Sequence, residues 1–172
     1  MSSDELTTTY LDTSVYLWYF SKPKASGNIT LQEAKERQII ARPLFEEAQQ
    51  KKRKILTSIY TKIEIAFIDE EATIKRLDPA APEKIDALLN DTNIMSLLNV
   101  SNLVAEKARG IVRLTKVSDI ATVKPKDAIH IASALVYGAD ELFTYDEGMC
   151  KWDSRIEGLR ICKPLPPQMP MF

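Results

Sequence analysis

The chain has one histidine and two cysteines among 172 residues, too few for a disulfide framework or a Cys/His zinc site. Cys150 and Cys162 have no neighbouring histidine or motif to activate a thiol. A net charge of −1 supplies no overall field for nucleic acid, so any such binding must come from local patches. No apolar run approaches the roughly 20 residues of a membrane span, and the N-terminus, MSSDELTTTYLD, carries acids where a signal peptide carries bases. These absences point to a reducing, cytoplasmic setting. Internal repeats, low-complexity blocks and linkers between separate cores are also missing.

What is present is a 45% hydrophobic, 27% charged composition, ordinary for a globular domain. One domain is expected over residues 1–163, followed by a Pro-rich extended tail, 164–172. Strand signals alternate with helical ones. Thr7 to Leu11 is β-prone and ends on Asp12; the apolar VYLWYF then starts a helix. Thr30 and Glu33 form a capping box for a helical pattern running towards Lys54, read as two helices or one kinked helix breaking near Arg42 at Pro43. Ile55 to Thr57 is a short strand, after which Ser58 is placed to cap a helix continuing to Leu77, with Ile59, Ile63 and Ala66 on its apolar side. Pro82 to Leu89 is a short helix, Ile94 to Val100 a buried strand, and Ser101 caps a helix through Leu114.

Pro125 then opens a helix with Ala128, Ile129, Ala132, Leu135 and Val136 at helical spacing. Gly138 stops it, Glu141 to Tyr145 is a short buried strand ending at Asp146, and Leu159 to Lys163 is a last edge strand. Alternating strands and helices imply parallel pairing with right-handed crossovers, hence a three-layer α/β/α fold around a central parallel sheet of four to five strands. The spatial order of the strands is not readable from the sequence.

Asp12 and Asp146 fall at strand carboxyl ends, where ligands gather in open α/β sheets. Asp127 lies in a helix's first turn, and Glu64 follows the second strand. Without a cation, two carboxylates about 4 Å apart repel by about 4 kcal/mol at an effective dielectric near 20. A shared pocket therefore needs protons or a metal, and an all-oxygen set selects Mg²⁺ or Mn²⁺. Such a site polarises a phosphodiester and helps deprotonate water, so the chemistry indicated is metal-dependent phosphodiester hydrolysis.

LDTSV at 11 to 15, IYTKIEIA at 59 to 66, DAIHIASA at 127 to 134 and FTYD at 143 to 146 resemble, in order, the four acidic motifs of the PIN-domain ribonucleases. The resemblance extends from about Thr8 to Lys163 and is most specific in the last two motifs. It implies Asp12, Glu64, Asp127 and Asp146 as metal-site residues, Thr144 as the hydroxyl near the fourth acid, and Ser14 as the small polar residue after the first. It further implies Mg²⁺- or Mn²⁺-dependent endoribonuclease activity leaving a 5′-phosphate, and commonly a homodimer. Many small members resemble the VapC toxins of VapBC toxin–antitoxin pairs, which an antitoxin partner holds inactive. The Phe20 to Lys54 connection and the Pro-rich end are longer than in compact toxins.

Each residue also has a plainer role. Thr61 and Glu64 form a T-x-x-E pattern that caps a helix in many proteins. Asp127 suits a helix dipole, and Asp146 suits a turn before Gly148. His130, one turn after Asp127, is expected to be a satisfied core or interface group rather than a base. Lys124 and Lys126 flank the helix entrance as candidate RNA contacts, with Ser14. KKRK at 51 to 54 reads first as a solvated helix C-terminus and second as a phosphate patch. Tyr16, Trp18 and Phe20 read as core before they read as base-stacking residues. A stand-alone RNA-processing nuclease and a non-catalytic PIN-like binding module are the alternatives to a toxin. A haloacid-dehalogenase-type phosphohydrolase is disfavoured, since it requires a second acid at position 13 or 14.

Overall fold

In the computed structural model, which describes residues 6–25, 29–66 and 79–165, five strands form one parallel sheet. They are β1 (Thr8–Leu11), β2 (Lys54–Ser58), β3 (Met95–Leu98), β4 (Glu141–Phe143) and β5 (Arg160–Cys162), in spatial order β3-β2-β1-β4-β5. The chain builds outward from β1 through β2 to β3, then returns to the other side of β1 for β4 and β5. The register pairs Tyr10 with Leu56 on one side and with Leu142 on the other.

Both faces of the sheet are covered, and neighbouring strand residues serve opposite layers because side chains alternate along a strand. Tyr10, Leu56, Leu142 and Ile161 pack with Val104, Ala108, Ile131 and Ala132 in one core. Leu11, Ile55, Met95 and Phe143 pack with Val15, Tyr16, Leu44, Phe45 and Ile85 in the other. The first layer is built from α5 (Asn102–Lys116) and α6 (Pro125–Val136), the second from α1 (Thr13–Phe20), α2 (Leu31–Gln49) and α4 (Ala81–Leu89). Two short helices, α3 (Tyr60–Glu64) and α7 (Glu147–Cys150), follow β2 and β4.

Several helix boundaries follow from their caps. Thr30 accepts from Glu33 N at 3.1 Å, Ser101 accepts from Val104 N at 3.3 Å, and Gly138 takes φ +70° just past α6. Helix α6 is buried on more than its expected stripe, since Asp127, His130, Ile131, Ser133 and Ala134 are buried as well.

Other expectations are corrected. Helix α2 runs through Pro43 as a single element. Ala41, Leu44, Phe45 and Ala48 are buried on either side of the proline, and this packing outweighs the lost hydrogen bond. The α2 helix also ends before KKRK: Lys51 turns the chain at φ 55°, and Arg53 pairs with Glu47 at 2.8 Å and Glu141 at 2.5 Å. This basic run sits at the amino ends of the strands, opposite the end where the acids lie, so it is no phosphate patch for that site. On α3 the inward residues are Thr61 and Ile65, whereas Ile59 and Ile63 are exposed. Thr61 is drawn in by Thr57, their hydroxyls lying 2.9 Å apart. The expected continuation of this helix to Leu77 and the tail beyond Leu165 lie outside the described residues.

Pro43 has no N–H, so α2 lacks the backbone hydrogen bond that an amide there would donate. Pro43→Ala is expected to stabilise the protein by up to about 3 kcal/mol, read as a higher urea midpoint at unchanged slope. A lower midpoint would show that the proline is accommodated without cost.

Candidate metal centre

The sheet order makes the gap between β1 and β4 the switch point, where chain connections leave in opposite directions and a crevice opens at the strand carboxyl ends. Asp12 follows β1 and Thr144 to Asp146 follow β4. Asp12 N donates to Phe143 O at 3.0 Å, which locks the two strand ends together. Asp12 caps α1 and is 7% exposed. Its Oδ2 accepts from Thr144 Oγ1 at 2.8 Å and from Ser14 Oγ at 2.8 Å. Thr144 is wholly buried, so it orients Asp12 rather than reaching outward. Ser14 Oγ in turn accepts from Tyr145 N at 3.0 Å.

Glu64, at the end of α3, comes in from the β2 side. Its Oε2 accepts from Thr13 Oγ1 at 2.5 Å and lies 2.8 Å from His130 Nε2. Thr61 is not a cap for it, since Thr61 sits inside the helix and meets Thr57. Asp127 lies in the first turn of α6, 8% exposed. Asp146 is exposed, and its Oδ1 accepts from Met149 N at 3.0 Å as the cap of α7. Lys126 Nζ lies 3.4 Å from Glu64 Oε1 and 3.8 Å from Asp127 Oδ1. Lys124 is exposed at the α6 cap.

The most compact donor set among the described residues is Asp12, Glu64 and His130, each offering an atom within 4.8 Å of the others. Asp127 and Asp146 border it and affect each other electrostatically. An imidazole nitrogen stands beside the carboxylates of the expected all-oxygen set, hydrogen-bonded to one of them. His130 is buried and hydrogen-bonded, as a core histidine should be, but its partners are site residues. Nδ1 meets Tyr10 Oη at 2.9 Å, and that oxygen accepts from Ser58 N at 3.1 Å. Nε2 also lies 3.5 Å from Asp12 Oδ1. The sequence signal for this was spacing: His130 is three residues after Asp127, on the same helical face.

The electrostatics record crowded negative charge. Burial, aided by the Asp146 and Asp12 charges, raises the Asp127 carboxyl above its ordinary value. Burial also opposes ionisation of Glu64, but the hydrogen bonds from His130 and Thr13 outweigh it and hold the carboxyl down at about 2. His130 is raised despite the opposing effect of its burial, by the Glu64 hydrogen bond and the Asp12 charge. Lys126 is likewise raised against its partial burial by Glu64 and Asp127. The cluster attracts positive charge, and its carboxylate donors suit a divalent ion. Burial pushes the Cys150 thiol up to about 11 and raises Cys162 also, consistent with two inert thiols.

Fold and site together define a parallel α/β domain whose acids converge at the sheet's switch point. Residues 9–154 match the model of the PIN domain, and the chain belongs to that family. Among solved structures that match, the VapC20 toxin of Mycobacterium tuberculosis, which cleaves the sarcin–ricin loop, superposes with a TM-score of 0.52 at 17% identity. That match covers 81% of this chain and 90% of the toxin. No curated protein sequence matches the chain. Among the described residues, no helix is long and apolar enough to cross a membrane.

A pH dependence follows for the protein in chelator. His130, raised above 6.5, contributes stability that is complete below that value and is lost as pH rises through its folded value. Glu64, lowered from 4.5 to about 2, contributes stability present above 4.5 and lost as pH falls towards 2. Asp127 works against the ionised state as pH rises above its ordinary range. The melting temperature is therefore expected to fall as pH rises above 6.5, and His130→Gln should flatten that decline. A decline of equal slope in the variant would show that His130 is not its source.

Proposed function

We propose that the protein is a metal-dependent endoribonuclease, with Asp12, Glu64, Asp127 and Asp146 holding Mg²⁺ or Mn²⁺. The observation that carries this is the convergence of Asp12 and Glu64 on one cluster, bordered by Asp127 and Asp146, in a chain of the PIN family. A dication held there would polarise a phosphodiester oxygen and lower the pKa of an attacking water.

The protein's own residues supply orientation. Thr144 and Ser14 both donate to one oxygen of Asp12, leaving Oδ1 turned towards His130 and the cluster. Thr13 and His130 converge on Oε2 of Glu64, which keeps Oε1 on the side of Lys126. Tyr10 keeps its proton, because burial raises its phenol well above the ordinary value, and so anchors the ring of His130. Such fixed partners hold ligand atoms in place before substrate arrives. Lys126, half-exposed beside two of the acids, balances their charge and is placed to meet a phosphate, with Lys124 at the same helix entrance.

Within this activity, the toxin of a VapBC-type pair is favoured over a stand-alone RNA-processing enzyme, on the likeness in fold to a toxin that cleaves the sarcin–ricin loop. The corresponding partners are an RNA substrate, an antitoxin and a second copy of the chain, and the corresponding compartment is the cytoplasm. All four acids are present, which argues against a PIN-like module without turnover.

Calorimetric titration should show Mn²⁺ binding that Asp12→Asn with Asp127→Asn abolishes; unchanged affinity would defeat the metal-site assignment. With mixed single-stranded RNA, cleavage should require the metal and fall on the order of 10²-fold or more in Asp146→Asn. Cleavage surviving that change would exclude Asp146 from the machinery.

A further inference from the structure

Asp12 and Glu64 belong to different elements, so the 4.8 Å that encloses their donor atoms with His130 must be set by contacts between β1 and α3. The carboxylate end of Glu64 is held by Thr13 and His130. Its backbone end rides on α3, and a helix of five residues is too short to hold its own shape and direction. Ile59 and Ile63 are exposed, and Lys62 reaches an exposed acid, Asp86, at 3.0 Å. The residues that face inward are Thr61 and Ile65. Ile65 supplies apolar packing, which is not directional. Direction has to come from Thr61.

Thr61 is wholly buried, and its Oγ1 lies 2.9 Å from Thr57 Oγ1. Its carbonyl accepts from Ile65 N at 2.9 Å, closing the turn that contains Glu64. Thr57, on β2 and also wholly buried, donates to Leu11 O at 3.0 Å. A hydroxyl has one proton to give. Because Leu11 O can only accept, Thr57 spends its proton there, and Thr61 is the donor between the two hydroxyls. The hydrogen bonds therefore run from α3 through β2 to the last residue of β1.

The Leu11 carbonyl is one half of the peptide that introduces Asp12. The β1–β2 register ends at Tyr10 with Leu56, and one residue further on the Thr57 side chain holds Leu11 O. The other half of the same peptide, Asp12 N, donates to Phe143 O at 3.0 Å. This peptide is thus tied to β2 on one side and to β4 on the other, and the β2 tie also carries α3. We propose that Thr57 and Thr61 are positioning residues of the metal centre, fixing the backbone of Glu64 relative to that of Asp12. The proposal rests on the metal-dependent reading of the site and adds to it two hydroxyls buried beneath the cleft.

The test uses Thr57→Val and Thr61→Val, which keep the bulk of the side chain and remove the hydroxyl. Calorimetric titration should show Mn²⁺ affinity falling on the order of tenfold or more in each, as when the partners of metal ligands are removed. Thr57→Ser and Thr61→Ser, which retain the hydroxyl, should recover most of that loss. Thr9→Val deletes a buried hydroxyl that meets Glu141 near the amino ends of the strands. It should lower the urea midpoint and leave Mn²⁺ affinity in place, which separates positioning from general stability. A second readout needs no metal. His130 is the one histidine of the chain, so its imidazole NMR signals in chelator stand alone, and in Thr61→Val they should shift in the direction seen in Glu64→Gln. Unchanged Mn²⁺ affinity in both valine variants, unmoved His130 signals, or an equal loss of affinity in Thr9→Val overturns the positioning role and leaves the two hydroxyls to stability alone. If the unmodified protein does not bind Mn²⁺, the metal-centre reading itself fails and the positioning role with it.

Discussion

The structure depends on where its sheet changes direction. Because β1 is laid down first and the chain then builds to one side before returning to the other, the loops after β1 and β4 lead away from each other and leave an open notch. Asp12 stands on one lip of the notch and Thr144 on the other, joined at 2.8 Å. Helices α3 and α6 carry Glu64 and Asp127 towards the same place, because both begin beyond the carboxyl-terminal edge of the sheet. The negative charge is therefore a product of topology: residues widely separated in sequence meet because a parallel sheet delivers every strand end to one edge.

Collecting carboxylates in this way is unfavourable unless positive charge or protons accompany them, and the chain carries part of the compensation itself. His130 and Lys126 approach Glu64 from the same helix that supplies Asp127, spaced so that both reach the cluster. The Tyr10 hydroxyl reaches across from the middle strand, taking the Ser58 amide on one side and the imidazole on the other. Strand β1, strand β2 and helix α6 are thus tied together at the floor of the site by one phenol. A site braced from below keeps its upper oxygens in place whether or not a cation is bound, which is the condition for pre-organised electrostatics.

Much of this was legible in the sequence because it depended on local signals. The strand ends before Asp12 and Asp146, the proline opening α6 and the glycine closing it are written in adjacent residues, and they sufficed for a parallel three-layer fold. Strand order was not legible, since parallel pairing depends on crossovers whose side is chosen by packing of the assembled layers. Of the two readings at Pro43, separate helices or one kinked helix, separate helices are not formed, for a related reason: Ala41, Leu44, Phe45 and Ala48 are buried on both sides of the proline. His130 is the satisfied, buried histidine expected, but a histidine among alanines carries no mark of its partners. Its meaning lies in Tyr10, 120 positions earlier, and in Glu64, 66 positions earlier.

The contrast between α6 and α1 bears on how such a domain treats a polyanion. Helix α6 presents Asp127 and Lys126 to the notch, so its charges largely cancel where the acids are densest. Helix α1 begins at Asp12 and leads away from the notch past Ser14 and Trp18 to Ser21, beyond which come Lys22 and Lys24. With the chain as a whole at net charge −1, attraction cannot come from the general field and must be arranged locally.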